Sequence, residues 1–372
     1  MTNAVDATFS VSWTHRLRFT HGVFASGSVL DEIIAAESPP RVLSVIDDGL
    51  AGENPAFVED MCAWAMRMGQ SCVEDPLLVP GGEATKNTGE TVRAVLQAVE
   101  QHGLCRRSCV LVAGGGAVLD AVGYAASIAH RGVRLVRLPS TSLAQCDSGV
   151  GVKNGVNLFG KKNFTGVFDP PLAVINDFDL LKSLDDRHWR SGLSEAVKVA
   201  VIKDSALFDD IESSADRLVD RDQSVMEDVV RRSALLHFRH ITDGGDPFEL
   251  LAARPLDFGH WSAHKLEQMT ENELTHGEAV SVGLALDLVC AELLGILDAA
   301  VVERILGVLQ RLRLPTAHPA LSDSAQLLEG IEEFREHLGG RLTLLMLSGI
   351  GSSCEIHALD GDIVARAADR LL

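Results

Sequence analysis

Glu195 and Lys198 stand three residues apart in SGLSEAVKVAVI, so both project from one face of a helix whose other residues are mostly apolar. Burying a carboxylate and an ammonium is costly unless they pair with each other or work on a ligand. A structural ion pair meets that condition as well as a ligand site does. Further along, FGHWSAHKLE sets His260 and His264 four apart on one helical face, and THGEAV opens the next apolar helix with His276. Histidines and a carboxylate around an open fourth position form the donor set of a catalytic zinc centre. A single histidine would read as a satisfied core residue, whereas three beside a carboxylate point to metal. Spacing alone leaves open which of them ligate.

Other segments suit phosphates. Gly114-Gly115-Gly116 ends the apolar run SCVLVAGG and leads into a helix, where backbone can approach a pyrophosphate and free N–H groups face it. Taken alone, the triplet reads equally well as a tight turn. Upstream, PGGEATK carries Glu83 and Lys86, ordinary residues for a surface loop. The stretch LPSTSLAQCDSGVGVKNGVNLFGKKNFTGVFDPP, Leu138 to Pro171, gathers Lys153, Lys161, Lys162, Asn157 and Asn163 in an otherwise acidic chain. Local cations on a negative background make an anion pocket. Phe159, Phe164 and Phe168 interleave with them and predict a partly buried loop.

The elements that must position these residues fall into two halves. RVLSVID (41–47), SCVLVAGG (108–115), VRLVRLP (133–139) and LAVIND (172–177) read as strands buried on both faces of a parallel sheet. Amphipathic segments such as Thr88–Gln101 and Leu119–Ala129 lie between them. Residues 1–180 thus form a doubly wound, nucleotide-binding α/β domain. Residues 181–372 are mostly helical, with helices expected over Glu195–Ile211, Met226–His240, His260–Thr270, Gly277–Leu294 and Val301–Leu312, and one late strand in RLTLLMLSGIG (341–351). The two domains should meet along a cleft.

Composition removes several classes of function. Thirty-three Lys and Arg against 52 Asp and Glu give a net charge of -19 over 372 residues, which disfavours nucleic acid and anionic membranes as partners. The seven cysteines form no CxxC pair, as suits reduced thiols in a cytoplasmic protein. The N-terminus lacks a signal-peptide core, and Ala279–Leu297, which carries Asp287 and Glu292, reads as a core helix rather than a membrane span.

In order and spacing, PGGEATK, GGGAVLDAVGYAASIAHRG, PSTSLAQCDSGVGVKNGVNLFGKKN, SGLSEAVK, FGHWSAH and THGEAV resemble the signature segments of the dehydroquinate synthase-like sugar phosphate cyclases, from about residue 41 to 351. The resemblance implies an NAD-binding α/β domain, a helical metal-binding domain and a homodimer. It implies zinc, with cobalt as a possible substitute, on Glu195, His260 and His276, which makes His264 a substrate-side histidine. It implies NAD contacts from Asp47, Glu83, Lys86, Gly115, Gly116, Asp120, Ser140, Thr141 and Lys162. Asp147, Lys153, Asn163 and Lys198 fall at substrate positions, and Arg131 at one that reaches the neighbouring subunit's substrate phosphate. The segment around His237, Arg239 and His240 does not align cleanly with the family's usual lysine, and its role stays open.

The departures carry the substrate. Dehydroquinate synthases hold a substrate carboxylate with an arginine and an asparagine before the first zinc histidine and with lysines near the C-terminus. Here Ala253 takes the arginine position with Arg254 displaced by one, Asp257 takes the asparagine position, and FREHLGG puts His337 at a lysine position. Such a pocket suits hydroxyls better than a carboxylate. The pattern is similar to the sedoheptulose 7-phosphate cyclases, and to the 2-epi-valiolone synthases over the 2-epi-5-epi-valiolone synthases, which usually carry proline where His264 stands. The implied reaction is transient oxidation by NAD, β-elimination of phosphate, reduction, ring opening and intramolecular aldol closure. Dehydroquinate synthesis, a metal-dependent polyol dehydrogenase and a non-catalytic NAD-binding scaffold are the competing readings.

Overall fold

The computed structural model describes residues 4–245, 247–248, 255–337 and 339–372. Its first half contains the strands β1 (Leu17–Thr20), β2 (Val42–Asp47), β3 (Leu77–Val79), β4 (Cys109–Gly114), β5 (Arg134–Pro139), β6 (Lys153–Leu158), β7 (Lys161–Phe168) and β8 (Ala173–Asp177). Six of these form a sheet in the order β1-β8-β5-β4-β2-β3, every neighbouring pair parallel. Alternation along the strands explains their continuous apolar runs. Leu43, Val45, Val110 and Val112 face the helices Glu90–Gln101 and Gly116–Ile128, packing on Val95, Val99, Val118 and Val122. Val42, Ile46, Leu111 and Val136 face the opposite side, under Leu30, Ile33, Met61 and Trp64 of the helices Val29–Glu37 and Pro55–Met68. Both faces are therefore covered, as a doubly wound sheet requires.

The second half is a helical body built around the helix His276–Leu293, which is buried along nearly its whole length because no face of it is polar. Helices Asp186–Lys203 and His260–Met269 pack on it. Among the described residues no helix is long and apolar enough to cross a membrane.

Several expectations need correction. The helix expected over Glu195–Ile211 is two helices, Asp186–Lys203 and Ser205–Val219, because Asp204 leaves helical geometry and its carboxylate caps the second by accepting the Leu207 N–H. The late strand is a hairpin, β9 (Leu344–Gly349) with β10 (Ser352–Ile356), packed against the helical body. Most of the anion-pocket loop is ordered: a π-helical turn, Ala144–Ser148, then the antiparallel hairpin β6–β7. Its phenylalanines are exposed, Phe159 at 79%, Phe164 at 53% and Phe168 at 41%.

Candidate active site

Glu195 projects from the middle of the helix Asp186–Lys203 and is 1% exposed. Two glycines seat it. A Cβ on Gly192 would lie 2.3 Å from the Ser142 carbonyl carbon, and one on Gly277 would lie 2.2 Å from the Ser191 carbonyl oxygen, so backbone meets backbone at both places. His276 starts its helix at a Thr275–Glu278 capping box, and His260 starts the helix His260–Met269 after Gly259, which has φ +77°.

These three side chains converge. Oε1 of Glu195 faces Nε2 of His260 and Nε2 of His276 at 3.5 Å each, while Oε2 meets the Lys198 ammonium at 2.5 Å. With Oε2 taken up by Lys198, Oε1 faces only the two imidazole edges, an open position for so buried a carboxylate. Burial works to raise the Glu195 carboxyl, but Lys198 and His260 overcome it and hold it well below the ordinary carboxylate range. Both histidines are anchored through Nδ1, His260 to the Phe258 carbonyl at 3.2 Å and His276 to Glu267 Oε2 at 3.1 Å. Outer partners on Nδ1 leave Nε2 to ligate. One donor atom from each residue lies within 4.8 Å of the others, so the set fits a divalent cation. A second trio, His264, Glu267 and His276, also converges. Donor chemistry favours the first, because Glu267 already spends its oxygens on Lys162 and His276.

Beyond Glu195 the buried charges continue. Lys198 Nζ lies 3.6 Å from Asp147 Oδ2, and Asp147 Oδ1 lies 2.5 Å from His237 Nδ1. Burial opposes the Lys198 charge, yet Asp147, Glu195 and Asp257 together keep it protonated. Asp147 is likewise opposed by burial but held at about 2, chiefly by Lys198. His264 packs its ring 5.5 Å from that of His260 and 5.8 Å from that of His276; burial and the neighbouring His260 push it well below its ordinary value, so the imidazole is neutral near pH 7.

In the sheet, β3 and β4 flank β2 on opposite sides, and the glycine segments follow the carboxyl ends of β3 and β4. The Asp47 carboxylate accepts the Gly49 and Leu50 N–H groups, and a Cβ on Gly81 would come within 2.5 Å of it. Gly115 caps the helix Gly116–Ile128, leaving its first N–H groups free of helical partners. Ser140 donates its N–H to Gly114 O, and Thr141 Oγ1 accepts the Ala144 N–H. Lys86, 4% exposed, pairs with Asp120 at 2.8 Å and also touches Asn163. Lys162 reaches Glu83 at 3.5 Å and Glu267 at 2.6 Å, linking the hairpin to the helical body.

Family models agree with this arrangement: 3-dehydroquinate synthase N-terminal matches residues 76–191 and 3-dehydroquinate synthase C-terminal matches 192–334. The chain belongs to the 3-dehydroquinate synthase family. A 2-epi-5-epi-valiolone synthase from Streptomyces glaucescens is 33% identical over 96% of this chain and 91% of its own length. A 2-epi-valiolone synthase from Actinosynnema mirum is 31% identical over 92% of this chain and 88% of its own. Among solved structures, ValA, a 2-epi-5-epi-valiolone synthase from Streptomyces hygroscopicus subsp. jinggangensis 5008 with NAD+ and Zn2+ bound, superposes with a TM-score of 0.89 at 29% identity, covering 99% of each chain.

Within this 3-dehydroquinate synthase fold, not every residue singled out in the sequence joins the cluster. Asn163 touches Lys86 and donates its backbone N–H to Asn157 Oδ1, with its backbone at φ +51°. Lys153 opens β6 with its side chain exposed. Arg131, at φ +64°, lines a surface depression with Arg106, Arg107 and His130. His337 is the last residue of the helix Ser324–His337. Ala253 and Arg254 lie outside the described residues.

Sequence reasoning missed three supporting residues. Glu267 is one. Arg137, fully buried, donates to the carbonyls of Gly149, Gly151 and Lys153 and to Asn154 Oδ1, fixing the segment that follows Asp147. Asp287 accepts the Gly259 N–H at 2.8 Å and the Trp261 indole at 2.7 Å, the two residues that flank His260. Burial pushes Asp287 up to about 7. A carboxyl raised in the folded state contributes fully below its ordinary value near 4 and loses that contribution as pH rises to about 7. Asp287→Ala is therefore expected to cost about 1–3 kcal/mol through two stranded donors, and to flatten the fall in stability between pH 4 and 7. Urea unfolding across that range measures both.

Proposed function

We propose that the chain is a sugar phosphate cyclase, a carbon–oxygen lyase that converts sedoheptulose 7-phosphate to a valiolone-type cyclitol and releases phosphate, with 2-epi-valiolone the favoured product. Residues 1–180 carry NAD+ and residues 181–372 the metal, zinc or else cobalt. The named valiolone synthases among its relatives support the class of reaction. The feature that carries the substrate is the place of Asp257: it ends the turn Pro255–Asp257, which packs against the helix that bears Glu195 and Lys198, and its charge favours the Lys198 ammonium. A substrate carboxylate would meet that anion, whereas a hydroxyl can donate to it.

When bound, the metal supplies a Lewis acid and NAD+ a reversible hydride acceptor. Glu195, His260 and His276 hold the metal. Asp47, Glu83, Lys86, Gly115, Gly116, Asp120, Ser140, Thr141 and Lys162 cradle the dinucleotide. Lys198, Lys153 and Asn163, with the partner subunit's Arg131, orient the substrate phosphate. Asp147 and Asp257 accept substrate hydroxyls, and His264 and His337 orient hydroxyls or move protons during ring closure. His264 supports the 2-epi-valiolone outcome, because the 2-epi-5-epi-valiolone synthases that the chain resembles usually carry proline at that position.

Incubating the protein with zinc, NAD+ and sedoheptulose 7-phosphate tests this. A cyclase releases phosphate without net NADH; accumulating NADH would mark a polyol dehydrogenase, and neither signal a binding scaffold. Mass and NMR analysis of the product distinguishes 2-epi-valiolone from its 5-epimer.

The same reading makes the enzyme a cytoplasmic homodimer. Arg131 supports it, since the residue is exposed, with its backbone at φ +64° beside His130 at φ +53°. Mixing an inactive Arg131→Ala chain with an inactive Lys198→Ala chain should regenerate one intact site in each mixed dimer. Verified mixed dimers without activity would refute the shared site.

A further inference from the structure

Glu267 is 2% exposed, and its two oxygens serve different halves of the molecule. Oε2 accepts from His276 Nδ1 at 3.1 Å, and Oε1 accepts from Lys162 Nζ at 2.6 Å. Lys162 lies on β7 of the hairpin, 105 residues away in the chain, and its ammonium also approaches Glu83 of the segment before Lys86.

We propose that Glu267 is a positioning residue that couples the cofactor to the metal, holding His276 with one oxygen and the cofactor-side Lys162 with the other. This rests on the reading of His276 as a metal ligand and of Lys162 and Glu83 as NAD+ contacts. The physical basis is a shared carboxylate. Contact between NAD+ and Lys162 fixes the hairpin, and with it the Lys162 end of Glu267. A fixed Glu267 holds the His276 ring in its ligating orientation, so less ordering remains when the metal arrives. By thermodynamic linkage the metal must tighten NAD+ by the same factor. Glu267 thus acts on the metal through His276 and on the cofactor through Lys162, without touching either.

The test measures affinities, and so stands apart from turnover. Zinc affinity is determined by chelator competition, with and without saturating NAD+, in the wild type, Glu267→Gln and Lys162→Gln, with circular dichroism as the check on folding. NAD+ is expected to tighten zinc about fivefold or more in the wild type, the lower end of typical coupling. Glu267→Gln should bind zinc roughly 10- to 100-fold more weakly, as loss of an outer partner does, with the NAD+ effect abolished. Lys162→Gln keeps the His276 contact and should lose the coupling, which carries the test if the Glu267 variant fails to fold. Wild-type zinc affinity in Glu267→Gln, or an undiminished NAD+ effect in either variant, would overturn the proposal. A wild-type chain that binds no zinc at all would instead overturn the metal reading, and this inference with it.

Discussion

Alanine at His276 is expected to empty the metal site and end phosphate release together. The change removes one of three converging donors and strands Glu267, which spends Oε2 on that ring. Since losing an outer-shell partner alone costs roughly 10- to 100-fold in metal affinity, loss of a direct ligand should exceed about 100-fold. Burial opposes the His276 charge, but Glu267 and Glu195 raise the ring to about 10 in the metal-free protein. Zinc must displace that proton, so uptake by the wild type should weaken as pH falls. Metal analysis of the purified His276→Ala, His260→Ala and Glu195→Ala proteins decides the matter. Full zinc occupancy in the His276 variant would remove it from the ligand set.

The second large effect concerns substrate choice. With Asp257 in the turn packed on the Lys198 helix, a substrate carboxylate held there would lose a charge-assisted bond and face a like charge. One such bond is worth about 1.5–3 kcal/mol, or about one to two decades in affinity. kcat/KM for sedoheptulose 7-phosphate should therefore exceed that for the carboxylated heptulosonate phosphate of dehydroquinate synthases by at least that factor. Asp257→Asn should narrow the gap from the carboxylated side. A wild type that prefers the carboxylated sugar would show that these substitutions sit in an ordinary dehydroquinate synthase.

Much of the fold is written in local pattern, and much of the site is not. The strands β2, β4, β5 and β8 are legible because burial on both faces forces unbroken apolar runs. β1 and β3 escape notice because they are only 4 and 3 residues long and half exposed at the sheet edges. His260 and His264 share a helical face that spacing predicts, yet spacing cannot say which nitrogen points where. That choice is made by the Phe258 carbonyl and by Glu267. The pairing of Asp147 with His237 joins positions 90 apart, and neither residue's local sequence announces the other. The role left open for the His237 segment thus gains a physical contact that no motif recorded.

The glycine contacts beneath Glu195 divide the molecule into a part that cannot drift and a part that can. With Gly192 against Ser142 and Gly277 against Ser191, backbones set the register of two ligand-bearing helices, leaving no slack for a side chain to take up. Any larger residue there would pry Glu195 from His276 before it altered which sugar is accepted. The close neighbours of these two glycines are Ser142, Leu143 and Ser191, none of them among Asp257, His264 and His337, the positions proposed to meet the substrate. Directed evolution toward new cyclitols should accordingly accumulate changes at these three positions, and libraries that randomise Gly192 or Gly277 should return almost nothing but glycine.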